Sequence, residues 1–247
     1  MSAPDIVFDG LHKDYTLYAS MGHGYKSILT GILQGKITRR TCHRALRGIT
    51  FSISRGESVG IIGRNGAGKS TLLGLMAGVL KPSSGSVAVN RAVSPMLELG
   101  AGFHQDLTGR ENILMNGVLL GMRRHEVAEK IESIVEYAEL NEFIDQPVRT
   151  YSSGMLARLG FSVIVRLDPQ ILLLDEVFAV GDARFQAKCR ASIMEYNRSR
   201  NVTTIFVSHN LRGVAELCAR CIWIEGGVVR MDGATPAVLD AYTHAME

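Results

Sequence analysis

Apolar residues along this chain come in two patterns, short unbroken or alternating runs and runs repeated every three to four positions, and the two occur in separate blocks. Strand-like stretches lie at Ile49–Ile53, Ser58–Ile62, Ser86–Val89, Val93–Leu97, Ile171–Leu174 and Val202–Ser208. Asp5–Tyr15 reads as a short strand followed by a polar turn. Arg55-Gly56-Glu57 separates two of the strands and is compatible with a hairpin between them, while Cys221–Arg230 reads as a hairpin turned at Gly226-Gly227. The helical period dominates from Thr108 to Arg166, where Val127, Ile131, Ile134 and Val135 share one face. Thr108-Gly109-Arg110-Glu111 has the form of a capping box, and Ser152 or Ser153 is placed to cap a helix bearing Leu156, Leu159 and Val163. Met21–Gly35 predicts a short amphipathic helix, with Ile28, Leu29, Ile32 and Leu33 in one set, and Pro236–Met246 predicts a terminal one. The result is an α/β chain with a helical block, about residues 106–166, inserted between strands.

The densest chemical signal is Gly63-Arg64-Asn65-Gly66-Ala67-Gly68-Lys69-Ser70-Thr71. It follows the apolar run Val59-Gly60-Ile61-Ile62 and precedes Leu72–Ala77, whose apolar residues are spaced for a helix. Strand, glycine-rich loop and helix make a phosphate site, because the loop N–H groups converge on one anion and the helix start adds its partial positive charge. Lys69 then reaches the β/γ-phosphates, and the Ser70 hydroxyl is placed to ligate a magnesium ion. This predicts a nucleoside triphosphate site.

The strand Ile171–Leu174 delivers Asp175 and Glu176 to its C-terminal end, the edge where open α/β sheets bind ligands. Beside a phosphate loop, such a pair predicts a magnesium ligand in Asp175 and a general base in Glu176. His209 ends the neighbouring apolar strand, where a γ-phosphate sensor could sit.

Composition narrows the setting. The 247 residues are 46% apolar and 21% charged, which is ordinary for a globular protein. A formal charge of +3 without a dense Lys/Arg run gives no argument for a nucleic-acid partner. Four cysteines are too few for a disulfide scaffold, and Cys218-x-x-Cys221 lacks a second pair at zinc spacing, so buried reduced thiols are expected. Asp5, Asp9 and Asp14 interrupt any secretory core, and runs such as Ser70–Leu80 and Asn112–Met122 are too short to span a membrane. A chain folded in a reducing cytosol, at most peripheral to a membrane, is expected.

Taken in order, these stretches resemble the ATP-binding-cassette ATPases. Gly63–Thr71 corresponds to the phosphate loop, Ile171–Glu176 to the magnesium-acid strand and base, and Val180-Gly181-Asp182-Ala183 to the D-loop. His209 corresponds to the switch histidine, and Tyr151-Ser152-Ser153-Gly154-Met155 to the signature that completes a partner subunit's ATP site. The resemblance implies a RecA-like P-loop NTPase core, a small antiparallel β subdomain and one nucleotide-binding domain over residues 1–247. It also implies ATP and Mg²⁺ as cofactors and a homodimer in the ATP-bound state. Tyr15 resembles the aromatic that stacks on adenine, with Tyr18 as a competitor. The usual signature is Leu-Ser-Gly-Gly-Gln, and the departure from it points to the polysaccharide-exporting branch (O-antigen, teichoic acid, capsule). Leu97–Phe103, Leu107–Asn112 and Ala179–Phe185 point the same way. The Q-loop position is open between Glu98, His104 and Gln105, with Glu98 preferred. The 21–35 helix is either a gate-like element near the membrane partner or a packing helix. The implied function is the ATPase subunit of an exporter of a lipid-linked polysaccharide, on the cytoplasmic membrane face beside an integral permease. No nucleic-acid partner is implied. Some members of the branch carry a further carbohydrate-binding domain; with this sequence ending at Glu247, the permease is expected to contact the polysaccharide. The alternative is a soluble cassette ATPase acting on nucleic acid or a macromolecular assembly.

Overall fold

The computed structural model describes residues 3–18, 40–96, 102–175, 182–199 and 202–246. Glu98, Glu176, Val180, Gly181 and the expected 21–35 helix lie outside the described residues.

Two sheets stack around the first core. Strands β1 (Ile6–Tyr18), β2 (Arg40–Ile53) and β4 (Ser84–Val89) form an antiparallel sheet in the order β2-β1-β4. The second sheet adds β3 (Ser58–Ile62), β5 (Val93–Met96), β6 (Ile171–Asp175), β7 (Thr203–Val207), β8 (Arg220–Glu225) and β9 (Val228–Ala234), in the order β5-β6-β7-β3-β8-β9. All its pairings are parallel except β8 with β9. A parallel strand is covered on both faces, which is why β6 and β7 are unbroken apolar runs. Ile171 and Leu173 face a core shared with Ile6, Phe8 and Phe51 of the antiparallel sheet and with Leu72, Leu73 and Met76 of helix α1 (Lys69–Met76). Leu172 and Leu174 face the opposite layer, with Phe161, Phe185, Val214 and Trp223.

Three helices form the inserted block: α2 (Gly109–Leu119), α3 (Arg124–Ala138) and α4 (Ser153–Arg166). Their own core contains Ile113, Val127, Ile131, Ile134, Val135, Leu159 and Val163. Thr108 and Glu111 make the capping box expected of them, with Thr108 N donating to Glu111 Oε2 at 2.8 Å and Glu111 N to Thr108 Oγ1 at 3.2 Å. The Thr108 hydroxyl also donates to Glu111 Oε2, at 2.9 Å, and the backbone and hydroxyl donors of Thr108 together hold the Glu111 carboxyl below the usual glutamate range. Helices α5 (Ala183–Ser199), α6 (Leu211–Leu217) and α7 (Thr235–His244) cover the second face of the large sheet.

Two local expectations are corrected. β2 and β3 are not a hairpin: β2 pairs with β1, whereas β3 lies between β7 and β8 in the other sheet. The turn between them crosses from one sheet to the other, held where Gly56 N donates to Thr203 Oγ1 at 2.8 Å and Thr203 Oγ1 donates to the buried Asp5 at 2.6 Å. Nor does β1 stop in a polar turn. It continues to Tyr18 past Gly10, whose φ is 51°, with register shifts that absorb the polar residues as bulges. The β8–β9 hairpin forms as expected around Gly226 and Gly227.

Candidate nucleotide site

The strand β3 ends at Ile62 on the C-terminal edge of the parallel sheet, and the next residues form the glycine loop. Gly63 packs against β8 so closely that a Cβ there would collide with the Ile224 carbonyl. Gly68 has φ 108° and precedes α1; a Cβ on it would lie 2.6 Å from Leu46 Cδ2 and 2.9 Å from the Ala45 carbonyl oxygen. Both positions therefore require glycine. Gly68 is the N-cap of α1 and brings no side-chain acceptor, and the helix has no acidic residue in its first turn. The start of α1 therefore presents its partial positive charge with no cap side chain or first-turn acid of its own, which suits an anionic ligand.

Lys69 is buried, and its Nζ donates to the Gly63 carbonyl at 2.8 Å and the Arg64 carbonyl at 3.1 Å. It lines a cavity of about 370 Å³ together with Asn65, Gly66, Gly68, Ser70, Thr71, Tyr15 and Asp175. Asp175 ends β6, two strands from β3 across β7. The Tyr15 hydroxyl stands 3.5 Å from Thr71 Oγ1. A cation, a helix start and hydroxyls around one cavity suit a phosphate chain, with an aromatic ring at hand for a base.

The remaining expected residues lie elsewhere. His209, at the end of β7, lines a neighbouring hollow with Gly63, Arg64, Asn65 and Tyr242, so the structure sets it against the loop and outside the Lys69 cavity. Ser152 is the residue that caps α4, its Oγ accepting from Met155 N at 3.2 Å. Neither it nor Ser153, Gly154 or Met155 lines the Lys69 cavity. Asp182 caps α5, accepting from Phe185 N at 2.8 Å. His104 and Gln105 sit in the turn before α2, also away from the cavity. Ala67, within the loop, is buried.

Sequence reading missed His43 and Ala45 of β2 and Val207 of β7, which line the cavity. Nothing in their spacing marks them. Only the pairing of β2 with β1, Tyr15 opposite His43, carries them there. Among the described residues no cluster of His, Cys, Asp or Glu has metal-binding geometry, and Cys189, Cys218 and Cys221 are buried thiols. Burial pushes all three up to about 12.

The parallel sheet, the loop at its C-terminal edge and the lysine at the start of the helix that follows define a P-loop NTPase. Comparison with known proteins specifies which kind: the ABC transporter family model matches residues 46–179. The chain is 49% identical to the O-antigen export system ATP-binding protein RfbB of Klebsiella pneumoniae, over 98% of this chain and 99% of that one. It is 39% identical to the teichoic acids export ATP-binding protein TagH of Listeria innocua, over 96% of this chain and 69% of that one. Among solved structures, the dimeric ATP-binding cassette MJ0796 in a post-hydrolysis state with ADP and phosphate superposes with a TM-score of 0.73 at 20% identity. That match covers 93% of this chain and 98% of the other. The chain belongs to the ABC transporter family, as an ATP-binding ATPase.

Proposed function

We propose that this protein is the ATP-hydrolysing subunit of a membrane exporter for a lipid-linked polysaccharide such as O-antigen. The observation that carries the reading is the 49% identity, end to end, with an O-antigen export ATPase. Two copies associate head-to-tail on ATP at the cytoplasmic face of the membrane, beside an integral permease that contacts the polysaccharide. Among the described residues no helix is long and apolar enough to cross a membrane.

At the site, the loop amides and Lys69 hold the β/γ-phosphates, and Tyr15 stacks on the base. Ser70 and Asp175 line one cavity and offer the hard oxygen donors that suit Mg²⁺, so these two residues would hold the ion. When bound, it neutralises phosphate charge. Glu176 takes the proton of the attacking water, and His209 senses the γ-phosphate from the neighbouring strand end. The signature Ser152–Met155 completes the partner's site, with Asp182 at the contact between copies.

Affinity purification of the tagged protein from detergent-solubilised membranes of its native host tests this reading. Recovery with a polytopic membrane protein that stimulates ATP hydrolysis is the expected result. Recovery from the soluble fraction with nucleic acid or a ribonucleoprotein would replace transport with the soluble-ATPase alternative.

A further inference from the structure

The Lys69 cavity contains a second ring besides Tyr15. His43 lies directly opposite Tyr15 in the β1–β2 pairing, and both residues line the same 370 Å³ space. Opposed residues on antiparallel strands have Cβ atoms about 5 Å apart, so the imidazole and the phenol are side by side. The pairing of β1 with β2 shifts between Lys13–Leu46 and Asp14–Arg44, which leaves Ala45 as an additional residue on β2. That bulge sets His43, instead of Arg44, opposite Tyr15. Ala45 and His43, two residues apart on the strand, both line the cavity, while Arg44 between them does not and stands 4.0 Å from Asp14.

The strand thereby sets a scale along the cavity. The Ala45 carbonyl passes beside Gly68, at the start of the helix that meets the terminal phosphates. His43 is two residues further out, roughly 6 Å at strand rise. The groups of a nucleoside triphosphate at that remove from the β-phosphate are the α-phosphate and the ribose. Both accept a hydrogen bond from a ring N–H. We propose that His43 is a nucleotide-binding residue, donating to the α-phosphate–ribose portion of ATP alongside Tyr15. The assignment rests on the reading of this cavity as the ATP site.

Equilibrium binding of ATP and of ADP to the full-length protein tests it, together with steady-state hydrolysis. His43→Ala weakens both nucleotides about tenfold, the size expected for one charge-assisted hydrogen bond. It raises KM by a similar factor and leaves kcat within twofold. His43→Gln, which keeps an N–H donor, stays within about threefold of wild type. His43 is exposed, so the melting temperature of either ligand-free variant matches wild type and separates lost binding from lost folding. Lys69→Ala serves as the control. If Lys69→Ala loses ATP and His43→Ala binds it as wild type does, the His43 assignment is wrong and the ATP site stands. An equal loss in His43→Gln and His43→Ala also overturns it, since the donor would then be irrelevant. If Lys69→Ala binds ATP normally, the cavity itself has been misread.

Discussion

Lys69 donates to two carbonyls of its own loop, so its ammonium is fixed at the cavity floor instead of swinging in solvent. A charge positioned in this way costs no reorganisation when phosphate charge shifts during hydrolysis, and among the described residues lining the cavity there is no second lysine or any arginine to replace it. Lys69→Ala should therefore lower turnover with saturating Mg-ATP by at least about 100-fold, a barrier change of about 2.7 kcal/mol or more. Phosphate release measures this, and activity within about threefold of wild type would remove the role. Lys69 and its glycines are legible in the sequence because a loop that wraps an anion is built from consecutive residues. Asp175 is legible because a strand end is marked by where its apolar run stops. His43 is not, because its place depends on a bulge and on a strand partner 28 residues away, neither of which leaves a local pattern.

Elements differ in how much of their position is local. α2 is announced by its capping box, yet the residue that fixes its approach is Asn112, fully buried within it. The Asn112 amide donates to the carbonyls of His104, Leu107 and Thr108 and accepts from His104 N at 2.7 Å, tying the preceding turn to the helix. Asn112→Ala should cost about 2–3 kcal/mol in urea unfolding, since several buried polar groups lose their partner together. ATP affinity should hold, because nothing from this block lines the nucleotide cavity. The helical layer beneath β6 and β7 carries a different liability. Cys189, Cys218 and Cys221 lie in the core between it and the sheet, pushed by burial to about 12, and so does Tyr137, also raised by burial to about 12. A raised folded value means the native state keeps its protons after the unfolded chain has lost them. Stability is then complete below the unfolded thiol pKa of about 8.5 and falls as pH rises towards 12. Chemical denaturation at pH 8 and pH 10.5 should show a loss on the order of a few kcal/mol, and equal midpoints would contradict it. The elements themselves were legible where period and length agree, as in β6, β7 and α3. Their partners were not. The β2–β3 spacing fits a hairpin, but the contact that decides the matter joins Asp5 to Thr203, 198 residues apart.

At the scale of the whole molecule, the phosphate loop and the signature stretch belong to different bodies of structure. The loop is on the C-terminal edge of the parallel sheet, and Ser152–Met155 open α4 in the helical block, away from the Lys69 cavity. Within one copy the two sets do not share a cavity, so a catalytic role for the signature requires a second copy. A substitution at Gly154 separates this from simple helix capping. The capping bond is made by Ser152, and a Cβ on Gly154 would meet only Ser152 Oγ, at 3.8 Å, so a side chain fits without strain. If capping were the whole story, Gly154→Asp would be close to silent. If α4 faces a partner's γ-phosphate, the new carboxylate brings like charges within a few ångströms of each other. Their repulsion at intermediate dielectric is on the order of 4 kcal/mol. Gly154→Asp should then bind ATP as a monomer with wild-type affinity and hydrolyse it on the order of 100-fold more slowly or worse. Mixing it with Lys69→Ala protein gives a heterodimer in which one site joins the intact loop of the first chain to the intact signature of the second. Part of the hydrolysis should return on mixing, in proportion to the heterodimer formed. Wild-type hydrolysis by Gly154→Asp alone would mean that the signature does not act across the dimer, and the head-to-tail arrangement would fall with it.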